Sequence, residues 1–191
     1  MNMPDRTTTP PKGTVQKKIK PEEIKWDNLP DMQLDSKSMT EVRNWILNQE
    51  PPKQWIKKLQ FANNAEYLPI DKVEYLLTSL FKSWRVEIKE HSLIANAMVC
   101  VVRLYYLNPD TKQYDWQDGI GASALKVKSG TQNPNDTTKM LPNAVEIAAP
   151  ISETSAVKDA ADKIGRLFGR DLNRKNTVDY TNKNFKNLLD E

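Results

Sequence analysis

The stretch AMVCVVRLYYLNPDTKQYDWQDGIGASALKVK (97–128) contains two strand-like runs separated by a turn signal. The first run is β-branched, aromatic or apolar on both faces of an extended chain, a composition that favours strands. The second run alternates Tyr114 and Trp116 with polar neighbours, which is typical of a half-buried strand. The Asn-Pro-Asp sequence at 108–110 favours a turn. The stretch therefore predicts two antiparallel strands joined by a short connection.

A third strand-like run precedes these two in the chain. It alternates Trp84, Val86 and Ile88 with charged residues, again the pattern of a half-buried strand. The three runs occupy residues 84–89, 97–107 and 114–128. Successive runs with turn signals between them predict an antiparallel β-meander. Gly119 and Gly121, in the last run, mark a bulge or a close approach of another strand.

The clearest helical pattern lies before the meander. It follows Asp71, a candidate N-cap residue. Its apolar positions recur at helical spacing and lie on one face: Val73, Leu76, Leu77, Leu80 and Phe81. An apolar face of this kind needs a sheet or another helix to cover it.

A second long helix is predicted after the meander. It begins near Ser152 or Thr154 and runs to about Leu172 or Arg174. Its apolar residues fall on one face: Val157, Ala160, Ala161, Ile164, Leu167, Phe168 and Leu172. We therefore expect an α+β fold in which the antiparallel β-meander packs against two main helices.

Shorter elements are predicted ahead of the first long helix. Residues 35–49 have a helical pattern that ends at the proline pair 51–52. The apolar face of that helix comprises Met39, Val42, Trp45 and Ile46. The sequence QWIKKLQF (54–61) is amphipathic, and AEYLPI (65–70) is typical of a short strand.

The composition divides the chain into a tail, a domain and a second tail. Residues 1–25 are rich in Pro, Thr and Lys and contain no aromatic residue, so we expect a disordered basic arm. Residues 26–175 form the predicted domain, within which 129–143 are turn formers and form a predicted flexible loop. Residues 176–191 are a polar C-terminal tail. The arm either adds affinity for an anionic polymer or maintains solubility.

The composition also excludes several classes of protein. The chain has 191 residues, a formal net charge of +3, one cysteine and one histidine. A single cysteine excludes an internal disulfide framework and a multi-cysteine zinc site, and a single histidine disfavours most catalytic triads. No apolar run approaches the roughly 18 residues of a membrane span. We expect no metal, no cofactor, no membrane contact and no enzymatic activity.

Four cations on the second long helix form a candidate site for phosphate. They are spaced by three, four and four residues and therefore lie along one side of the predicted helix: Lys163, Arg166, Arg170 and Arg174. Such a stripe, beside an apolar face, can line a groove that follows a nucleic-acid backbone. The alternative is structural, because Asp159 and Asp162 each lie four residues before one of the first two cations and favour salt bridges within the helix.

The segment GIGASALKVK (119–128) contains two further lysines of interest. It lacks the Gly-Lys-Ser/Thr end of a phosphate-binding loop, so nucleotide hydrolysis is disfavoured. Lys126 and Lys128, two residues apart on a predicted strand, would point to one face and contact a backbone. Five aromatic residues are candidates for base stacking: Tyr67, Tyr105, Tyr106, Tyr114 and Trp116. Strand aromatics more often pack in the core or against neighbouring strands.

In order and spacing, four segments resemble the annealing domain of the Rad-fifty-two-type single-strand annealing proteins. The segments are YLPIDKVEYLLTSLFKSWRVEI (67–88), MVCVVRLYYL (98–107), YDWQDGIGASALKVK (114–128) and AVKDAADKIGRLFGRDL (156–172). The last is the most specific, because it combines several alanines, a cluster of cations and a Phe-Gly pair. The resemblance implies a β-β-β-α core whose protomers assemble side by side into a ring or filament, as in a compact phage or bacterial form.

The resemblance also implies two sites for single-stranded DNA. Its inner site maps onto Lys163 and Arg166, onto Lys57 or Lys58, and onto Tyr67. Its outer site maps onto Lys126 and Lys128. A family cation falls on Asp162 in this chain, and Arg170 lies two turns further along the predicted helix.

These observations favour a protein that binds single-stranded DNA and promotes ATP-independent annealing of complementary strands in homologous recombination and repair. The alternative is a single-stranded DNA- or RNA-binding module that protects strands without annealing them. An unrelated two-layer enzyme would need a catalytic pocket that the sequence does not indicate. We expect the protein to be cytoplasmic, in a bacterial or phage-infected cell, and to have itself as a partner. A single-strand-binding protein or an exonuclease is an open candidate for a further partner.

Overall fold

The computed structural model describes residues 43–60, 63–133 and 135–177. The predicted N-terminal arm and the last fourteen residues lie outside these ranges. The strands are β1 (Lys57–Leu59), β2 (Ala65–Tyr67), β3 (Trp84–Ile94), β4 (Ala97–Leu107) and β5 (Tyr114–Ala124), and the two long helices are α1 (Ile70–Phe81) and α2 (Ala144–Asp162). Of the helix predicted over 35–49, the described residues 43–47 are helical. No helix in the described part of the chain has the length and apolar character needed to cross a membrane.

The three long strands form an antiparallel sheet in the order β3-β4-β5, which confirms the predicted meander. The turn between β4 and β5 is held by Asn108, whose side-chain oxygen accepts a hydrogen bond of 3.0 Å from the amide of Asp110. Every second side chain of β4 is buried: Cys100, Val102, Leu104 and Tyr106. The other face of β4 is only partly buried, although its sequence is apolar on both faces.

Helix α1 covers one part of the buried sheet face. Its predicted apolar side was correct, since Val73, Leu76, Leu77 and Phe81 are all buried. The Phe81 ring lies 4.6 Å from the ring of Tyr106 on β4, measured between centroids. The helix begins at Ile70 after Pro69, so Asp71 lies in its first turn and is not the N-cap residue.

Helix α2 covers the rest of that face at very short range. A Cβ atom on Gly119 would overlap the carbonyl oxygen of Ala156, and one on Gly121 would overlap that of Ser152. The two glycines of β5 therefore mark a close approach of the helix backbone and not of another strand. The bulge lies elsewhere, in β3 between Ile88 and Glu90.

The bounds of α2 differ from the prediction at both ends. The helix begins at Ala144 and continues through Pro150, because Ala144 and Ala148 are buried in a small cluster with Leu125. The prediction placed these residues before the helix. At the other end the helix stops at Asp162, ten to twelve residues before the predicted end.

The early end of α2 has a steric cause at Gly165. This residue is extended, with φ −174° and ψ 165°, and a Cβ atom there would lie 2.7 Å from the carbonyl oxygen of Leu47. The chain turns where it meets the helical segment 43–47, and then forms the 3₁₀ helix Arg166–Phe168. Leu167 and Phe168 of this turn are buried in the main core.

The segment between β5 and α2 contains more order than a loop of turn formers suggests. Strand β5 ends at Ala124, four residues before its predicted end. Val127 then forms an antiparallel bridge with Met140, and Thr137–Lys139 form a 3₁₀ turn.

We expect Gly121→Ala to lower the free energy of unfolding by about 3 kcal/mol, because the added methyl group must separate α2 from β5. Urea denaturation followed by circular dichroism measures the change. The control is Gly130→Ala, where no atom lies within 4 Å of the new Cβ and φ is +82°, so only backbone strain of about 1 kcal/mol is expected. Equal losses in the two variants would contradict the close-contact explanation.

Candidate nucleic-acid interface

Two adjacent cavities lie where the β1–β2 hairpin meets the chain after α2. The larger has a volume of about 520 Å³ and the smaller about 270 Å³. They share Glu66 and Leu172 as lining residues. The charged residues that line the larger cavity are the cations Lys53, Lys58, Arg166 and Arg174 and the carboxylates Glu50, Glu66 and Asp171. Three of the predicted site residues are therefore brought together, although they come from separate segments.

Two cations of the larger cavity are exposed and held by single ion pairs. Lys58 Nζ lies 3.3 Å from Glu66 Oε1, and its side chain is 62% exposed. Arg174 Nη1 lies 3.2 Å from Asp171 Oδ1, and its side chain is 61% exposed. Exposed pairs of this kind contribute about 0 to 1 kcal/mol, so a phosphate group can replace the carboxylate at little cost.

Arg166 is held more firmly than the other cations. Its Nη2 donates a hydrogen bond of 2.5 Å to Glu50 Oε1, and its Nε lies 3.3 Å from Asp171 Oδ2. Its side chain is only 12% exposed. Asp171, whose side chain is 9% exposed, contacts both Arg166 and Arg174 and so fixes their spacing. Arg166 therefore supports the wall of the cavity and presents little surface to a ligand.

The smaller cavity contains the predicted Tyr67 and a lysine that the sequence analysis missed. Lys158 Nζ, on α2, lies 5.0 Å from the centre of the Tyr67 ring, within the range of a cation–π contact. Burial lowers the pKa of Lys158. In the sequence, Lys158 is marked only by its position directly after Val157, a residue of the predicted apolar face. Its contact with Tyr67 depends on the packing of β2 against α2, which the sequence pattern does not show.

A half-buried carboxylate lies beside this pair. Asp162 lines the smaller cavity together with Asp159. Burial raises the pKa of Asp162 to about 7, and the neighbouring charge of Asp159 acts in the same direction. The charge that Asp162 places near Lys158 is therefore present at alkaline pH and is lost as the pH falls below about 7.

The predicted stripe of four cations on one helix is wrong, because α2 ends at Asp162, before all four of them. Lys163 forms the predicted pair with Asp159, at 2.9 Å, and also donates to the carbonyl oxygen of Asp118 at 2.5 Å. The predicted pair between Asp162 and Arg166 does not form, since Arg166 turns toward other carboxylates.

Arg170 has a structural position. Its Nε donates to the carbonyl oxygen of Asp162 at 3.0 Å, and its Nη2 donates to that of Lys163 at 2.7 Å. These carbonyls lie at the C-terminal end of α2, where helical acceptors lack partners. Arg170 thus caps the helix, and its guanidinium is turned toward the protein.

The alternative between Lys57 and Lys58 is decided in part by the strand register. Lys57 lies opposite Tyr67, and Lys58 opposite Glu66. Paired residues of antiparallel strands share a face, so the two lysines point to opposite sides of the hairpin. Lys58 lines the larger cavity, whereas Lys57 lies on the side of Tyr67.

The other predicted lysines lie in a separate place. Lys126 and Lys128 are exposed and line neither cavity. The amide of Lys128 donates to the carbonyl oxygen of Lys139 at 2.9 Å, which brings a third lysine beside them. Lys139 was not predicted, because only the pairing of these two segments places it there.

Two comparisons with known proteins bear on this site. No protein-family model matches the chain, and no curated protein matches it. In the described ranges, no group of three or more His, Cys, Asp or Glu side chains is placed to hold a metal ion. The interpretation of the two cavities therefore depends on their own geometry.

We expect Asp162→Asn to stabilise the protein at pH 8, with a gain that shrinks as the pH falls toward 5. The folded pKa of about 7 lies above the ordinary 3.8, so the wild type loses stability as the pH rises between these values. Asparagine is neutral throughout and removes that loss. Thermal melting at several pH values measures it, with the exposed Glu74→Gln as control. Parallel curves for Asp162→Asn and wild type would contradict the assignment.

We expect Arg170→Met to lower the free energy of unfolding by about 2 kcal/mol, because two hydrogen bonds from a charged group to helix carbonyls are lost. Arg174→Met is the matched control, and its exposed side chain leads us to expect a change below about 0.5 kcal/mol. Urea denaturation of both variants measures the difference. A loss at position 174 as large as that at 170 would contradict the capping role.

Proposed function

We propose that this chain binds single-stranded DNA along the two adjacent cavities and promotes ATP-independent annealing of complementary strands. The observation that carries the proposal is the placement of exposed Lys58 and Arg174 on one cavity that adjoins the pair formed by Tyr67 and Lys158. Cations beside an aromatic ring are the elements with which proteins hold single strands.

The electrostatics of the larger cavity support binding of a phosphate backbone. Four cations and three carboxylates line it, a balance of 4 − 3 = +1. Two of the cations are exposed and weakly held. When phosphates replace their carboxylate partners, counterions are released from the strand, and this release drives binding at low salt.

The smaller cavity supports contact with a base. The Tyr67 ring is half-buried and has the ammonium of Lys158 over it. Base stacking on an aromatic ring tolerates any sequence, because every base has a π-face. Single-stranded DNA that is held through its phosphates and by stacking of an occasional base keeps the base-pairing edges of most of its bases free for a complementary DNA strand.

Annealing of this kind requires no covalent step. The protein holds one strand extended, a second strand pairs with it, and base-pairing energy drives the product. An oligomeric ring or filament would extend the groove over many nucleotides, and the separate cluster of Lys126, Lys128 and Lys139 would contact the second strand. We place this activity in homologous recombination and repair, in the cytoplasm of a bacterial or phage-infected cell.

We expect Lys58→Ala combined with Arg174→Ala to weaken binding of a fluorescently labelled, mixed-sequence single-stranded DNA at least tenfold at low salt. Loss of two phosphate contacts should also reduce the slope of log affinity against log salt by about 1.4. Fluorescence anisotropy at several salt concentrations measures both. The matched control is Lys72→Ala combined with Lys112→Ala, which removes the same charge away from both cavities.

Annealing of complementary strands without ATP is measured in parallel by fluorescence quenching. Wild-type protein that accelerates pairing, and a cavity variant that does not, would support the proposal. Wild-type protein that binds the strand but slows pairing would favour the protective module. Equal binding by the cavity variant and its control would exclude the two cavities as the binding site.

A further inference from the structure

The face of the sheet that points away from α2 is apolar at one end and has no cover among the described residues. The side chains of Ile94 and Ile120 are 59% and 60% exposed. The strand register places them on the same face as Val99 and Val101 of the central strand. An antiparallel sheet that faces only water usually carries polar residues there, so this apolar shelf indicates a contact surface.

The other end of the same face carries a neutral network of charged and aromatic side chains. Arg103 donates to both carboxylate oxygens of Asp118, at 2.7 and 2.8 Å, and its guanidinium lies 3.9 Å from the centre of the Trp116 ring. The Tyr105 hydroxyl donates to Glu87 at 2.9 Å. The hydrogen-bond donors of Arg103 and one face of the Trp116 ring are therefore already engaged by neighbouring side chains of the same face.

The charge balance of this face argues against nucleic acid as its occupant. Its charged residues are three cations and three carboxylates: Arg85, Lys89, Arg103, Glu87, Glu90 and Asp118. A net charge of 3 − 3 = 0 gives no attraction for a polyanion. Exposed aromatic rings and arginine are instead typical of the centre of protein–protein interfaces, and other charged side chains are typical of the polar rim.

The dimensions of the face are close to the minimum for a specific interface. Three strands spaced about 4.8 Å apart, each eleven residues long at about 3.3 Å per residue, cover roughly 14 by 36 Å, or about 500 Å². Two such faces in contact bury about 1,000 Å², which reaches the lower limit of a specific interface.

We propose that this sheet face is the contact surface for the same face of a second copy of the chain, in a two-fold dimer. The face is its own best complement, because it carries four of the large exposed hydrophobic side chains of the described residues: Ile94, Tyr114, Trp116 and Ile120. The others lie on α1, on α2 and on the helix-facing side of β3: Tyr75, Val145, Ile151, Ile88 and Leu93. A two-fold axis through the shelf places shelf against shelf, with the two sheets about 10 Å apart. The contact goes beyond the proposed function, since it requires no bound single-stranded DNA.

The test is the mass of the full chain without nucleic acid, measured by sedimentation velocity for wild type and for Ile120→Glu. A buried glutamate at each copy of the contact is strongly unfavourable, so the variant should have half the wild-type mass or less, whether the wild type is a dimer or a larger assembly of dimers. The matched control is Ile151→Glu on α2, whose parent side chain is 48% exposed and which should leave the mass unchanged.

A second variant keeps the inference testable if Ile120→Glu does not fold. Val101→Cys places a thiol on the central strand, near the proposed axis, where a short bismaleimide should link two copies; Ile151→Cys should link far less. An unchanged mass for folded Ile120→Glu, a monomeric wild type, or equal cross-linking at both positions would overturn the inference. These outcomes leave the proposed function to its own test, because strand binding and annealing are measured separately.

Discussion

The structure depends on the contact between the backbone of α2 and the backbone of β5. Gly119 and Gly121 have no Cβ atom, and the helix presents Ser152 and Ala156 to them, so the two elements approach more closely than ordinary side chains permit. That contact fixes the height and direction of α2 over the sheet. It thereby fixes where Lys158 meets the ring of Tyr67, and where the helix must end.

The end of α2 builds the larger cavity. Because the chain turns at Gly165 against the carbonyl of Leu47, the residues that follow do not extend the helix but fold back beside the β1–β2 hairpin. Arg170 satisfies the last helical carbonyls, and Asp171 is left to hold Arg166 and Arg174. The cations of the cavity thus come from the hairpin and from the turn, and their distances are set by tertiary contacts instead of by helical spacing.

This origin explains which features could be predicted from the sequence. The meander and the apolar side of α1 were predicted correctly, since both rest on large apolar residues at regular spacing. The first half of α2 was missed because it buries Ala144 and Ala148, whose small side chains give little periodic contrast, and because Pro150 favours a break. The positions of Lys58 and Lys158 required the pairing of β1 with β2 and the placement of that hairpin on α2, which no local pattern contains.

The two faces of the three-stranded sheet differ in a way that the net charge of +3 conceals. One face is covered by the helices. The exposed cations Lys58 and Arg174 line the larger cavity at the border of that layer, and each is held by one exposed ion pair. The opposite face balances its charges internally and exposes Ile94 and Ile120. The proposed site for single-stranded DNA and the proposed contact with a second copy therefore lie on different sides of the molecule, so occupation of one would not require displacement of the other.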